Sequence, residues 1–439
     1  MTIKVLNFGG KQLLQPAFIP SGTYTVEQEG TYNVANYEFI KVLIEINQLK
    51  QIACSDETTW VLKTDGTLWG CGFGYYGAQG SGNTSDVKTF TQRLDNVKKV
   101  ACTAQVTWVL KEDGTFWGCG SNSYGQQGNE DINNSVKIFT QRLTNVKDFA
   151  CSNETTFAIK TDGTLWTCGR NNYGQQGNGI STFWDVKTFT QGLDNVKKVA
   201  CSDWTTWALK NDGTLWGCGY GNYGQQGDGS VTDHLVSKFT QRLDNVKEFA
   251  CSQKTTWAIK NDDTLWGCGL GNNGQQGNGS TGGNVSSFTE RLSNVKEITC
   301  SGNTTWAIKN DGTLWGCGRG EYGEQGSGST SDVTTFTQRL ANVDRVLCLW
   351  STTWALKTDG TLWGCGRNDH GQQGSGNTTD VKAFTQRLDN VKEFSCSAST
   401  TWAIKEDSTL WGCGYNVYGQ QGSGSTGGNV LSFTQRTLS

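Results

Sequence analysis

The chain has 439 residues with 58 glycines, 18 tryptophans and 16 cysteines, only 2 prolines, and a formal charge of −3. That balance excludes a polybasic surface able to hold nucleic acid or anionic lipid by bulk electrostatics. No apolar run is long enough for membrane insertion, and the start MTIKVLNFGG lacks the charged-then-apolar pattern of a signal segment, so synthesis in a bacterial cytoplasm is expected.

Residues 1–48 stand apart, since Met1, Pro16 and Pro20 all fall there. The run SGTYTVEQEGTYNVANYEFIKVLIEI alternates polar and apolar residues around turn signals, which predicts a small β-rich module. Its stretch Glu29–Val42, EGTYNVANYEFIKV, resembles segments of the form NGTYDVSGYASVNV in structural proteins of phages that infect Gram-positive bacteria. The resemblance implies an attachment and oligomerisation module that contacts other virion proteins and carries a display domain. A strand that merely covers the edge of the following domain is the other reading.

From residue 49 to 439 the chain repeats. Trp69, Trp117, Trp166, Trp216, Trp266, Trp315, Trp363 and Trp411 mark eight copies of WGCG or a variant, 48 to 50 residues apart. A period of this size means one supersecondary unit stacked on its neighbours. In the first unit LKQIACS (Leu49–Ser55) is the first strand and TTWVLK (Thr58–Lys63) the second. Asp65-Gly66 predicts a two-residue type I′ hairpin, with TLWGCG (Thr67–Gly72) returning. That turn places Leu62 opposite Trp69 and Trp60 opposite Cys71, four side chains on one face, with Val61 and Gly70 on the other. A glycine-rich bend, FGYYGAQG, then leads to FTQRL (Phe90–Leu94) as the outer strand. A bulky face that sinks into a bare one on the next unit predicts an all-β fold, a β-propeller of four-stranded blades.

Residues Ile52–Gly82, IACSDETTWVLKTDGTLWGCGFGYYGAQGSG, resemble the repeat of the regulator-of-chromosome-condensation family without gaps. The family's YGQLG-type bend has counterparts in YGQQG at Tyr124–Gly128, Tyr173–Gly177, Tyr223–Gly227 and Tyr418–Gly422. Thr58 replaces the family's histidine, Cys71 replaces a tryptophan, and the proline near the outer strand is absent. The family typically has seven blades; eight full units here predict eight, with seven plus an extra unit as the alternative. Exchange-factor activity and nucleosome contacts belong to particular eukaryotic members and do not carry over, because the basic tail and histidine-bearing turns are missing. A bacterial relative that inhibits β-lactamase implies that the fold can serve as a plain binding disc.

Each unit has two cysteines 17 residues apart, as in Cys54/Cys71 and Cys201/Cys218. A strand lies between them in the expected order, too wide a gap for a disulfide. No CxxC occurs, and His234 and His370 fall outside the pattern, which disfavours a metal site. The cysteines therefore read as small buried fillers beneath Trp60, Trp69, Trp207 and Trp216. No nucleophile–base pair and no Gly-Lys-Ser/Thr phosphate loop is present, so neither catalysis nor a cofactor is expected.

Length varies only between the bend and the outer-strand Phe, so insertions fall at one place on the disc. Trp184, beside Phe183, lies in the third such loop, while Trp204 and Trp350 occupy turns between the first and second strands of blades 4 and 7. In a meander those turns and bends share one face. Phe183, Trp184, Trp204 and Trp350 therefore nominate a binding face. The repeated tyrosines (Tyr75 or Tyr76, Tyr124, Tyr173, Tyr223, Tyr322, Tyr418) ring that face and read as structural. The arginines at Arg93, Arg142, Arg242, Arg291, Arg339, Arg387 and Arg436, a series broken by Gly192, read as outer-strand decoration. Together with the N-terminal resemblance, these features predict a non-enzymatic phage virion protein. It would sit on the tail or baseplate and bind a host-surface protein or glycan, or decorate the capsid. A cellular protein-binding propeller, inhibitor or adaptor, is the alternative.

Overall fold

The computed structural model describes residues 48–438 except 133, 181–183 and 233, together with the backbone of four short strands between residues 2 and 33. In that N-terminal part Thr2–Val5 pairs with Gly30–Asn33 and Gln12–Leu13 with Tyr24–Thr25, all antiparallel. Most of the phage-like stretch, from Val34 on, lies outside the described residues.

Eight four-stranded antiparallel sheets follow, each formed by consecutive strands. Blade 1 consists of Leu49–Cys54, Thr58–Lys63, Leu68–Gly72 and Val87–Leu94, and blade 8 ends with Val430–Arg436. The first strands pack against one another around the axis, and the fourth strands form the half-exposed rim. Blade 8 meets blade 1 directly, with Cys54 Sγ 3.3 Å from Ser395 Oγ and Thr400 Oγ1 donating to the Ser55 carbonyl at 3.4 Å. Among the described residues the ring has eight blades and no exchanged strand.

The hairpin register differs from the expected one. Lys63 N donates to Thr67 O and Gly66 N to Lys63 O, so the loop has three residues, Thr64, Asp65 and Gly66. Only Gly66 has positive φ, at 79°. Asp65 does not; its carboxylate instead accepts the Thr67 amide and hydroxyl at 2.9 and 2.7 Å. This is the three-residue loop closed by a left-handed residue, not the type I′ turn. One extra loop residue turns every later side chain over. Trp60 therefore faces Gly70 and Leu62 faces Leu68, while Val61 faces Trp69 and Thr59 faces Cys71.

The corrected register explains why glycine recurs in WGCG. A Cβ on Gly70 would lie 2.5 Å from the Trp60 ring, and six other blades repeat the conflict at 2.3–2.7 Å. Trp60 is fully buried and stands edge-on to Phe139 of blade 2 with centroids 5.6 Å apart. Beside it Leu62 and Leu68 pack on Val97, Val100, Val109 and Cys119 of that blade. Burial of one such large side chain stabilises by roughly 1.5–3 kcal/mol, and the edge-on pair adds about 0.5–1.5 kcal/mol. Blade 3 alone breaks the motif, and breaks it twice: Phe157 replaces the tryptophan and Thr167 the glycine. The smaller ring makes room for the larger partner.

Hydrogen bonds stitch the same interfaces. In seven blades one carbonyl of the preceding bend accepts both a second-strand threonine hydroxyl and a third-strand cysteine thiol, as Gln126 O does from Thr156 at 2.9 Å and Cys168 at 3.4 Å. Cys71 donates to Gln420 O at 3.4 Å, which extends the stitch across the closure. Cys71 and Cys218 are thus buried donors as well as fillers, whereas Cys54 and Cys201, on the inner strands, are only part-buried by surface area. Trp69 and Trp216 depart from the expected core. Both are half-buried, donate from Nε1 to Thr67 and Thr214, and lie under Lys63 and Lys210 at 4.7 and 4.3 Å.

Phe157→Trp alone should destabilise the protein by about 1–3 kcal/mol through collision with Thr167. Adding Thr167→Gly should recover most of that loss in a double-mutant cycle read by thermal melts. Additive effects would refute the paired origin of the two exceptions.

Candidate functional site

All first turns and third-to-fourth strand bends emerge on one side of the ring, here the upper face; the Asp-Gly loops emerge on the lower. In blade 1 the Ser55 hydroxyl fixes the first turn by accepting from Thr58 N at 3.0 Å. The bend is set by Gly77 and Gly80, both at positive φ, and by Gln79 Nε2 donating to Cys71 O at 2.9 Å. Bends also reach forward: Gln126, Gln175, Gln225, Gln372 and Gln420 each donate Nε2 to a carbonyl in the next blade's first turn, at 2.9–3.2 Å.

Above this scaffold runs a belt of rings and cations. The bend tyrosine of one blade meets the residue after the third strand of the next: Tyr124 meets Arg170 at 5.2 Å, Tyr173 meets Tyr220 at 5.4 Å and Tyr418 meets Phe73 at 4.7 Å. His370 with Tyr415 and Tyr322 with Arg367 continue it at 4.9 and 5.5 Å. Arg170 is also pinned by Glu154 at 2.7 Å. The tyrosines are structural, as expected. Their partners at positions 73, 170, 220, 367 and 415 were not singled out from sequence. The available signal was that this one position after WGCG holds Phe, Arg or Tyr in six blades.

The nominated residues separate. Phe183 lies outside the described residues. Trp184 is 75% exposed at the rim. Trp204 is half-buried within the belt, 6.2 Å from Tyr173 and 5.6 Å from Tyr220. Trp350 is 69% exposed, next to exposed Leu349. Its backbone has φ of +52°, a left-handed conformation in which a bulky side chain is strained. The Trp350 amide is held by Ser301 Oγ of the neighbouring blade at 2.7 Å. Blade 6 has glycine at the same place, Gly302 with φ of +50°. In both blades the ladder extends one step further than elsewhere, to Ser301–Thr304 and Leu349–Thr352. The bend side chains that face these two tightened turns, Gln275 and Glu324, each leave a buried polar atom without a partner. Glu324 is fully buried, and desolvation holds its carboxyl above the ordinary range.

The arginine series is also re-read. These side chains are half-buried between bend and rim, Arg242 pairing with Asp228 at 3.0 Å, so they do not merely decorate the outer strand. Around the axis, inner-strand ion pairs link neighbouring blades, among them Lys99–Asp148 at 2.5 Å and Arg345–Glu393 at 3.0 Å. Burial pushes the Cys54 thiol up to about 12 and the Cys348 thiol to about 11, far from a thiolate nucleophile at neutral pH. Among the described residues no cluster of His, Cys, Asp and Glu has the geometry to hold a metal ion.

Residues 97–126, 146–175 and 196–225 match one profile of the Regulator of chromosome condensation (RCC1) repeat, and residues 162–209 match a second. The matched residues, all in blades 2 to 4, carry RCC1 repeats within the eight-bladed ring. No curated protein matches it. Human WBSCR16 is similar in structure, with 20% identity, a TM-score of 0.61, and coverage of 78% of this chain and 97% of that one. Prp20p from Saccharomyces cerevisiae, whose structure is described with its binding properties to Gsp1p and histones, shares 19% identity at a TM-score of 0.55. That match covers 66% of this chain and 76% of Prp20p. At such identities the likeness concerns the fold. Neither of these two is a virion protein, so the virion reading and its partners, virion proteins and host glycans, gain no support from them.

Trp350→Gly should raise stability by up to about 1 kcal/mol, because glycine adopts the left-handed conformation without strain. Trp204→Ala should instead cost about 1–2 kcal/mol, since it removes a half-buried ring from the belt. Chemical denaturation checks both signs. A raised carboxyl pKa in the folded state means that Glu324 contributes stability below the unfolded value of about 4.3 and that this contribution is lost as pH rises. Glu324→Gln does not titrate at this position, so its melting temperature should gain on wild type between pH 4 and 7. Parallel curves would show that the buried carboxyl is neutral to stability.

Proposed function

We propose that this chain is a non-enzymatic protein-binding propeller that docks a partner protein on its upper face, with Trp350 as the principal anchor and Trp204 behind it. The observation that carries this reading is the presentation of Trp350. A side chain that would be favoured in a pocket is held out in solvent, on a backbone that a glycine would occupy at lower cost. Stability does not select that arrangement; a surface that closes over the indole on binding does. The packed interior supports the same reading, because its repeats are near-identical while the first turns and bends of the upper face differ. Prp20p, on the same fold, is described as binding Gsp1p and histones; the identity of this chain's partner does not follow from that. The formal charge of −3 favours a protein surface over nucleic acid.

Photo-crosslinking in the source cells tests the proposal, with a benzophenone amino acid placed at position 350 on the upper face or at Asp359 on the lower. A single protein captured from position 350, absent from position 359, and bound at least tenfold more weakly by purified Trp350→Ala is the expected result. Equal capture from both faces, or unchanged affinity of Trp350→Ala, would overturn the assignment.

A further inference from the structure

The rim of blade 3 breaks the eightfold pattern differently. Seven outer strands have an arginine at one place, and blade 3 has Gly192. Two of them reach the bend of their own blade: Arg242 meets Asp228 at 3.0 Å, and Arg436 donates from Nε to Gln421 O at 2.8 Å, whereas Nε of the six other than Arg436 is buried without a hydrogen-bond partner. The corresponding bend residues in blade 3 are Asn178 and Gln176. Where the arginine would lie, the structure has an open groove of about 460 Å³ running from Gly192 to Asn178. Trp184 and Ile180, 75% and 52% exposed, line it together with Asp185 and with Lys238 of blade 4.

Nothing local forbids a side chain at position 192. Gly192 is not among the glycines at positive φ, and an added Cβ would meet no atom closer than 3.7 Å. The vacancy is therefore a property of the sequence and not a demand of the backbone.

We propose that this groove accepts an arginine side chain from a partner protein, which takes in trans the place that the other seven blades fill in cis. The molecule itself supplies seven examples of the occupant. The alkyl stem would lie against Ile180 and the guanidinium over the Trp184 indole, a geometry in which arginine is favoured over lysine. The Gln176 carbonyl is the equivalent of the acceptor that Arg436 uses. Asp185 has one oxygen engaged by the Asn171 amide at 3.3 Å and retains acceptor capacity. Burial raises its pKa even with Arg170 and Lys187 nearby, and a further guanidinium beside it would favour the ionised form. Lys238 opposes the incoming charge and weakens the site. The inference rests on the protein-docking reading only for the source of the arginine.

Fluorine NMR on the full chain labelled with 5-fluorotryptophan tests it, the Trp184 resonance being assigned by Trp184→Phe. N-acetylarginine amide should shift that resonance saturably, and N-acetylcitrulline amide, neutral and of the same shape, at least tenfold more weakly. Gly192→Arg should abolish the response, Gly192→Ala should keep it, and Lys238→Ala should tighten it several-fold; Gly192→Met fills the groove if the arginine variant does not fold. A response equal for the citrulline or lysine amide, or one that survives filling of position 192, would overturn the proposal. The free amides need no partner, so failure here leaves the docking face intact, and failure of the crosslinking leaves the groove intact.

Discussion

Seven of the eight blades depend on one contact, a tryptophan laid flat across a glycine. Because the position facing Trp60 has no Cβ, the indole can lie close to its own sheet and still turn its edge toward Phe139 of the next blade. The sheet spacing, the identity of the residue directly after the tryptophan of each WGCG copy and the direction of packing around the ring all follow from that fit. Blade 3 shows the constraint by its exception, where Phe157 releases the glycine and Thr167 takes its place. The bend carbonyls that accept both threonine and cysteine fix the height at which neighbouring blades meet.

A ring built this uniformly leaves its upper face free to vary. The inner hairpins are locked by reciprocal packing, so a change in one requires a change in its partner. The exposed parts of the first turns and the rim loops after the bends meet solvent and carry no such obligation. Exposed Trp350, the belt around Trp204 and the groove beside Trp184 all arise there, at positions where the local rule of the repeat is broken.

The blade count, strand order and inner hairpin were legible from spacing alone, since a period near 49 residues with one aromatic marker leaves few architectures. The register was not. Asp-Gly suits a two-residue loop as well as the last two places of a three-residue loop, and the choice between them moves every side chain to the opposite face. Two other blades contained the correction: Asp263 and Ser408 replace the loop glycine at φ of 67° and 65°, while the aspartate before each has ordinary φ. The arginines likewise read as surface residues, because a half-buried guanidinium on a rim strand has no signature in a linear pattern. The phage-like resemblance covered a short stretch that the repeats do not constrain and that lies mostly outside the described residues.

By itself the sequence determined a closed ring of eight like units, because a face of tryptophan and leucine recurring at a constant period can be buried only against its own copy. It also determined which windows were exempt from that burial. Only the tertiary structure decided which tryptophans are anchors and which are mortar. Trp204 and Trp350 occupy neighbouring positions of the same turn, yet one is wedged between tyrosines contributed by two blades and the other is held out on a left-handed residue. That difference depends on contacts across blade boundaries, between residues some 30 to 50 positions apart, and no local pattern encodes it.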